Sequence, residues 1–366
     1  MNKEKIKIAI IGCGRIAGHH CRAISESDEF ELVAVCDLEV GKAEEYAKQF
    51  GALAYENYHQ MLEENPQINT VAVITPSGMH YEHVMDILKR YKKNIIVEKP
   101  TFMKPSQVTS AYALAAEVGC QIFAIFQNRH NLAVQRVATA LKSNELGKIR
   151  SVAVRVRWCR PQRYYDLAPW RGTFSMDGGC LTNQGIHHID LLRHLGGEIR
   201  RVCSVTKTLG ADIEVEDTAT AVFEFENGAI GSLEVTTAAR PIDYEASLSF
   251  VCEEGLAQIG GIAVNELQIF TPDPSACEMM SEDFSGNVYG NGHAKIYKEI
   301  GLSLLGDDNF PVDVKDVSAT IRLLNAFYIS DEKQSWVDVN ISGDSTRLGR
   351  PDESLANLYR SNEISS

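Results

Sequence analysis

The sequence has no apolar run long enough to cross a bilayer, no block of lysine and arginine, no C-x-x-C pair, and no internal repeat or low-complexity segment. The first absence excludes a membrane-spanning helix. With a formal charge of −13 and no basic block to offset it, a nucleic-acid partner is excluded, because phosphates need a basic face. An anionic metabolite would have to be held by a few local cations. Nine cysteines, an odd number scattered without pairing signatures, suit reduced thiols in a cytoplasm better than a disulfide framework. His80 and His83 sit close together, but no Cys pair or carboxylate cluster joins them, so no metal site is expected. The lysines before the first apolar stretch superficially suggest a signal segment. That stretch is too short and runs straight into a glycine turn, so it reads as a first strand. At 366 residues, 44% hydrophobic and 23% charged, the chain is ordinary globular material, long for one core and comfortable for two domains.

What is present begins at residues 6 to 17, IKIAIIGCGRIA, a strand-like run that breaks into Gly12-x-Gly14-x-x-Ala17 and then a helical pattern. In a dinucleotide-binding turn Gly12 permits the tight bend, Gly14 lets backbone approach phosphate, and Ala17 lets helix and strand pack closely. The helix start, near Arg15 and Ile16, would face the anion with its N–H groups. Such a turn often only ends a strand, but here a second apolar run from Glu31 to Cys36 ends in Asp37, at the distance the fingerprint requires. A carboxylate there can bind both adenosine ribose hydroxyls and would repel a 2′-phosphate. With Leu38 and Glu39 following, and no Arg or Lys, the pattern favours NAD over NADP.

Apolar runs recur at 6 to 11, 31 to 36, 70 to 75, 94 to 97 and 121 to 126, with helical patterns near 15 to 27, 40 to 50, 79 to 91 and 105 to 118. That alternation predicts an α/β doubly wound parallel sheet, a Rossmann domain over residues 1–126. Beyond it, 151 to 160 and two runs within 217 to 239 joined by Glu226-Asn227-Gly228 predict strands and a hairpin. Ala219, Ala221, Phe223 and Phe225 share one face and Thr218, Thr220, Val222 and Glu224 the other, as in a half-covered antiparallel sheet. Further strands are expected at 245 to 252 and 256 to 260, with covering helices at 183 to 195 and 313 to 330. Residues 127–340 are therefore expected to form a second domain with a large, mostly antiparallel open-faced sheet. Its outer face would be solvated or meet another subunit. Residues 341–366 read as a polar tail, mobile or draped over a neighbour.

In an open parallel sheet, ligands bind beyond the carboxyl ends of the strands. Those positions hold Gly12, Asp37, Thr75-Pro76-Ser77, Glu98-Lys99-Pro100 and Gln127-Asn128-Arg129. Pro100 restricts the backbone of Lys99 and fixes its exit. Near a nicotinamide its ammonium could orient a hydroxyl and stabilise the developing alkoxide, whereas a surface-covering lysine would pair with Glu98. A second constellation runs from Asp177 through Asn183, His187 and His188 to Asp190. Asn183 and His187, four apart, would share a helix face, and His187 is the natural proton acceptor for an alcohol. His188 lines up with Leu191 and Leu192 and reads as a hydrogen-bonded structural histidine. Trp170 and Arg171 could lie near the nicotinamide or anchor an interface.

The combination GCGRIA, Thr75-Pro76-Ser77-x-x-His80, EKP at 98 to 100 and GG-x-Leu-x-Asn-x-Gly-x-His-x-x-Asp at 178 to 190 resembles the Gfo/Idh/MocA family of sugar oxidoreductases, over about residues 5 to 335. QNR at 127 to 129, RPQ-x-YYD at 160 to 166, WRGT at 170 to 173, EVEDT at 214 to 218 and GGIAVNE at 260 to 266 are similar to its WlbA-type dehydrogenases, as is the run from Val288 to His293. That group oxidises C3 of UDP-N-acetylglucosaminuronic acid for bacterial surface polysaccharides, lipopolysaccharide among them. The resemblance implies a cytoplasmic homotetramer built on sheet faces, with cofactor contacts from Gly12, Gly14, Arg15, Ile16, Asp37, Thr75, Ser77, His80, Glu98, Lys99, Gln127, Asn128, Trp170 and Arg171. It assigns the nicotinamide-side roles to Lys99 and His187. The nucleotide sugar would be met by Lys99, Arg129, Arg160, Tyr165, Asn183, His187 and Tyr289, with Arg163 and Tyr164 as further partners. Much of the wider family has an acid where this chain has Asn183, so proton removal would fall to His187 or Lys99. An inositol or hexose dehydrogenase and a non-catalytic NAD sensor are the competing readings. The sequence leaves open whether NAD leaves between turnovers or is recycled in place by a keto acid such as 2-oxoglutarate.

Overall fold

The computed structural model describes residues 4–284, 290 and 292–361. Contacts divide the chain into two units, one of residues 1–125, 293–317 and 351–366, the other of 126–292 and 318–350.

In the first unit the apolar runs form β1 (Ile6–Ile11), β2 (Phe30–Cys36), β3 (Leu53–Tyr55), β4 (Thr70–Val73), β5 (Asn94–Val97) and β6 (Ile122–Ala124). Between them lie α1 (Ala17–Ser25), α2 (Val40–Phe50), α3 (Tyr58–Glu64), α4 (His80–Arg90) and α5 (Pro105–Val118). All pairs are parallel, in the order β3-β2-β1-β4-β5-β6. That is the strand order of a dinucleotide-binding sheet, with its switch point between β1 and β4. The strands are buried on both faces, which is why they read as continuous apolar runs rather than alternating ones.

The second unit contains α6 (Leu132–Lys142), β7 (Ile149–Arg157), α7 (Gln162–Tyr165), α8 (Gly179–Asn183), α9 (Ile186–Gly196), β8 (Ile199–Lys207), β9 (Thr218–Phe225) and β10 (Ile230–Thr236). After these come β11 (Glu245–Cys252), β12 (Leu256–Gly260), β13 (Glu266–Phe270) and α10 (Ala276–Met279); further along the chain most of α12 (Val314–Lys333) and β14 (Val337–Asp338) also belong here, whereas α11 (Gly292–Leu304), apart from its first residue, and α13 (Glu353–Ala356) belong to the first unit. Eight strands form one sheet, β13-β12-β11-β7-β10-β9-β8-β14, antiparallel except where β7 runs parallel to β10. The Asn227-Gly228 hairpin is closed by the Gly228 N–H on the Phe225 carbonyl at 3.1 Å, and Gly228 takes the left-handed φ of 87° that glycine adopts without strain. Ala219, Ala221, Phe223 and Phe225 are buried as their alternation requires. Over β8, α12 makes a polar seam: the Ser204 N–H donates to Ser330 Oγ at 3.0 Å and the Thr206 N–H to Asp331 Oδ1 at 2.9 Å.

Three features depart from the sequence reading. The expected helix at 183 to 195 is two helices, α8 and α9, separated at Gln184-Gly185; a Cβ on Gly185 would lie 2.9 Å from the Leu181 carbonyl oxygen. Residues 293–317 return to the first unit, where Ile296, Tyr297 and Ile300 of α11 enter the core beside Ile8, Ile10 and Phe30. The segment read as a polar tail is divided: residues 341–350 are part of the second unit, while from 351 the chain is part of the first, where Arg360 makes a bidentate pair with Glu82 of α4 at 2.5 and 2.8 Å. The first break, after Ile125, lies one residue from the division expected at 126, but the units are built from separated segments and not as one contiguous domain up to 340.

Candidate active site

In the first unit the glycine turn follows β1. Gly12 has φ 99°, its N–H donates to the Cys36 carbonyl at 2.8 Å, and a Cβ there would stand 2.5 Å from the Ile74 carbonyl oxygen. A Cβ on Gly14, in contrast, would meet nothing within 4 Å, so space remains on the exposed side of the turn. No side chain caps α1 at Ile16, and Arg15 is exposed, so the N–H groups of the helix start keep their capacity for an anion. Asp37 ends β2 with one carboxylate oxygen 2.7 Å from the Cys13 N and the other 2.9 Å from the Glu39 N. The carboxylate is thus locked beside the turn by backbone donors. A pyrophosphate-binding turn with an acid fixed next to it fits NAD, and Gly12, Gly14, Arg15, Ile16 and Asp37 are the residues that would hold it.

The ends of β4 and β5 are tied together. Thr75 Oγ1 lies 3.0 Å from His83 Nδ1. His80 is buried, with Nδ1 2.9 Å from the Pro100 carbonyl and Nε2 2.9 Å from the Thr75 carbonyl. Both ring nitrogens face backbone carbonyls, so His80 packs between the Thr75 and Pro100 ends and braces the Lys99-Pro100 turn. Burial lowers its basicity. Ser77 is buried in the short 3-10 turn before α4. Glu98 is buried; burial pushes its pKa up, and His20 and His293 more than offset this, holding the carboxyl well below the usual range. Its Oε1 accepts from His20 Nε2 at 3.0 Å and lies 3.5 Å from His293 Nε2, while Oε2 accepts the Lys99 N–H at 3.0 Å. Lys99 itself is half-buried.

His20, Glu98 and His293 bring ligand-type atoms within 4.8 Å of one another. The His20–Glu98 separation is that of a hydrogen bond, and His20 Nδ1 meets Tyr297 Oη at 2.9 Å, so this pair is satisfied without a cation. Sequence reasoning missed His20. Its signal was a titratable side chain on the apolar stripe of α1, flanked by buried Ala17, Cys21 and Ile24.

In the second unit Gln127 Nε2 lies 3.3 Å from His187 Nε2, both residues buried, and Asn128 is half-buried beside them in sequence. Asn183, half-buried at the end of α8, donates its amide N–H to Asp177 Oδ1, whose Oδ2 accepts the Gly172 N–H at 2.8 Å. His188 is buried against Trp158, ring centroids 5.8 Å apart, packed as its spacing implied but with neither ring nitrogen hydrogen-bonded among the described residues, and burial pushes its pKa down to about 4. Arg129 departs from expectation. Its guanidinium is buried and bidentate on Asp190, at 2.8 and 2.6 Å, and Asp190 also accepts from Thr320 Oγ1 at 3.1 Å. A buried arginine neutralised in this way is a structural brace, so it is withdrawn as a phosphate partner.

Arg160 donates to Asp243 Oδ1 at 2.8 Å and to the Cys159 carbonyl, and lies over the Trp158 and Tyr164 rings. Arg171 stacks on Trp170 and donates to Tyr164 Oη at 2.6 Å. Tyr165 is buried with its hydroxyl 3.0 Å from Thr237 Oγ1, so that hydroxyl is already engaged. Tyr289 lies outside the described residues. Among the described residues no helix is long and apolar enough to cross a membrane.

Comparison with known proteins agrees with this geometry. Residues 6–126 match the oxidoreductase family's NAD-binding Rossmann fold, and residues 134–258 match the GFO/IDH/MocA C-terminal domain. The structure is similar to the WlbA dehydrogenase from Bordetella pertussis, solved with NADH and UDP-GlcNAcA: TM-score 0.86, 31% identity, 92% of this chain and 99% of that one. It is equally similar to the WlbA enzyme from Chromobacterium violaceum, also solved with NADH and UDP-GlcNAcA, at TM-score 0.86 and 32% identity over 93% and 98% of the two chains. Among curated proteins, the D-glucoside 3-dehydrogenase of Escherichia coli is 27% identical over 65% of this chain and 72% of its own. The chain belongs to the Gfo/Idh/MocA oxidoreductase family and is an NAD-dependent sugar oxidoreductase.

Proposed function

We propose that the protein oxidises the C3 hydroxyl of UDP-N-acetylglucosaminuronic acid. The observation that carries this reading is the near full-length similarity to two WlbA dehydrogenases whose structures contain that sugar nucleotide. The position oxidised is supported by relatives named as 3-dehydrogenases of D-glucosides and of glucose 6-phosphate. Bound NAD supplies the hydride acceptor. Lys99, on a turn braced by Glu98 and His80, orients the hydroxyl and stabilises negative charge on its oxygen. The hydroxyl proton passes to His187 or Lys99 as the C3–H hydride leaves, so one C–H and one O–H bond break to give the ketone. Ser77, Thr75 and Glu98 belong to the cofactor side, with Gln127, Asn128, Trp170 and Arg171 as further contacts. Arg160 and Tyr165 are assigned to the nucleotide sugar, with Asn183 on the sugar ring.

The reading extends to a cytoplasmic homotetramer serving surface polysaccharide synthesis. It is supported by nine free cysteines and by apolar side chains on the open face of the eight-stranded sheet. Recycling of the cofactor in place by 2-oxoglutarate is the second route for NADH. One set of assays decides among these. UDP-N-acetylglucosaminuronate should yield NADH in single turnover; a bound cofactor that is never reduced points to a sensor. Reduction by inositol instead would favour the myo-inositol 2-dehydrogenase relative, 25% identical. Lys99→Ala should lower kcat by about 10²-fold or more while leaving NAD affinity in place, and equal activity would remove Lys99 from the chemistry.

A further inference from the structure

His20 reaches Glu98 from α1, the helix that follows the glycine turn, and Tyr297 reaches His20 from α11. His20 and Tyr297 are fully buried and Glu98 nearly so. Each group is therefore limited to partners within the fold, and the direction of each hydrogen bond follows from its two ends. Burial works against a charge on Glu98, while the hydrogen bond from His20 and the neighbouring His293 more than offset it, so the carboxyl stays ionised. Its Oε1 is 3.0 Å from His20 Nε2, and its Oε2 takes the Lys99 N–H at 3.0 Å.

An ionised carboxylate has nothing to donate, so the bond to Oε1 needs a proton on His20 Nε2. Nδ1 is then the acceptor for the Tyr297 hydroxyl, 2.9 Å away, which burial keeps in its protonated form. A ring turned over by half a rotation would put carbon atoms at both contacts, so the observed orientation is the one that fits. The neighbours leave little slack. Tyr297 meets Phe30 edge-on with centroids 5.6 Å apart, and His20 meets His293 edge-on at 4.9 Å. His293 Nε2 stands 3.5 Å from Glu98 Oε1 without completing a hydrogen bond, so His20 is the donor that fixes that oxygen. With one oxygen fixed the plane of the carboxylate is set, and the other oxygen falls on the backbone of Lys99.

We infer that His20 is a positioning residue for Lys99: it holds the Glu98 carboxylate in the plane that captures the Lys99 N–H, with Tyr297 as the donor to its other ring nitrogen. The relay runs from Tyr297 O–H to His20 Nδ1, and from His20 Nε2–H to Glu98 Oε1, while Oε2 receives Lys99. Its link to the chemistry rests on the role proposed above for Lys99. Simple packing would need only the volume of the imidazole, whereas the relay needs a donor at one particular edge of it.

Two substitutions keep opposite ends of the ring. His20→Gln places an amide nitrogen near the position of Nε2 and keeps the donor to Glu98, whereas His20→Asn places its amide near Nδ1 and loses that donor. With UDP-N-acetylglucosaminuronate, His20→Asn should lower kcat about tenfold or more with KM and NAD affinity close to wild type, and His20→Gln should retain most of kcat. Equal losses in the two variants, or a loss confined to KM, overturn the assignment. Nitrogen NMR of the full chain labelled at histidine reads the relay without any substrate, the His20 signals being those that vanish in His20→Gln. Wild type should carry the proton on Nε2. Glu98→Gln should move it to Nδ1: an amide whose oxygen still accepts the Lys99 N–H must turn its NH2 toward His20, whose Nε2 then becomes the acceptor. A proton on Nδ1 in wild type, or Nε2–H retained in Glu98→Gln, refutes the relay. If wild type fails to oxidise the sugar nucleotide while the tautomer reverses as expected, the substrate assignment fails and the relay stands.

Discussion

Glu216 shows how far one buried side chain can shift a property of the whole unit. Its Oε1 accepts from the Leu181 N–H at 3.1 Å and from Tyr328 Oη at 2.8 Å, and Oε2 has no hydrogen-bond partner among the described residues. Burial pushes its pKa up to about 8, with the Tyr328 hydroxyl, the Leu181 N–H and Arg347 pulling only partly the other way. The folded protein therefore keeps this proton well above the pH at which the unfolded chain, with a carboxyl near 4.5, releases it. Unfolding between those values frees a proton, so the contribution of Glu216 to stability is greatest below about 4.5 and declines as pH rises toward 8. Glu216→Gln removes the titration. From pH 5 to 8 its urea-unfolding free energy should gain on wild type by up to about 1.4 kcal/mol per pH unit, and parallel profiles would show that the carboxyl is ionised in the fold. At this scale the sequence was legible where a motif states its own geometry. Gly12 and Asp37 carry their constraints locally, and both sit where the fingerprint requires. Arg129 and Asp177 were not legible. Whether a charged side chain faces a ligand or an internal partner depends on what lies opposite, here Asp190, 61 residues away, and Asn183 across a loop.

Helix α11 shows the same limit one level up. Its apolar side carries Ile296, Tyr297 and Ile300, each fully buried and worth about 1.5–3 kcal/mol by transfer from water. Gly301 is what lets it dock, since a Cβ there would stand 2.5 Å from Glu29 Cβ and 3.1 Å from the Phe30 ring. Two effects oppose each other in Gly301→Ala. Helix propensity favours alanine by about 1 kcal/mol, whereas forcing a methyl into a packed contact costs about 1–3 kcal/mol. Because the atom in the way is a Cβ fixed to the start of β2 and not a flexible tip, the steric cost should win, and the variant should melt below wild type. A higher melting temperature would mean that α11 sits less tightly than its buried residues imply. The amphipathic pattern of α11 lies in the sequence, but its return to the first unit does not, because periodicity names a buried face without naming what buries it. Strand β8 was obscured differently: the inward positions Ser204 and Thr206 are polar and bonded to α12, which erases the apolar alternation. The Rossmann strands were read readily because double-sided burial leaves an unbroken apolar run, the strongest local signal a strand can have.

For the whole molecule the outer face of the eight-stranded sheet poses the remaining physical problem. A register row runs Cys203, Val222, Ser232, Ala153, Ser249 and Gln258 across six strands, four of them small side chains. Beside it lies a second row with Ile230, Val251 and Leu256, the first of them 59% exposed. On the other side Arg157 is paired to Glu234 at 2.7 and 2.8 Å, so charge on this face is already internally neutralised. Small side chains, neighbouring apolar ones and locally paired charge are what allow a second sheet to approach to about 10 Å. The chain carries a net charge of −13, so copies repel at long range, and under the homotetramer proposed above association would come from this contact and strengthen as salt screens the repulsion. A two-fold interface uses each residue twice, so a single Ala153→Arg places two guanidinium groups against each other in the middle of the row. If the proposed homotetramer is built on this face, light scattering should show its loss at any salt concentration, with NAD binding by the first unit retained. An unchanged mass would take this face out of the assembly, because no well-packed interface of the usual ~1,600 Å² could admit two opposed arginines at its centre without reorganising.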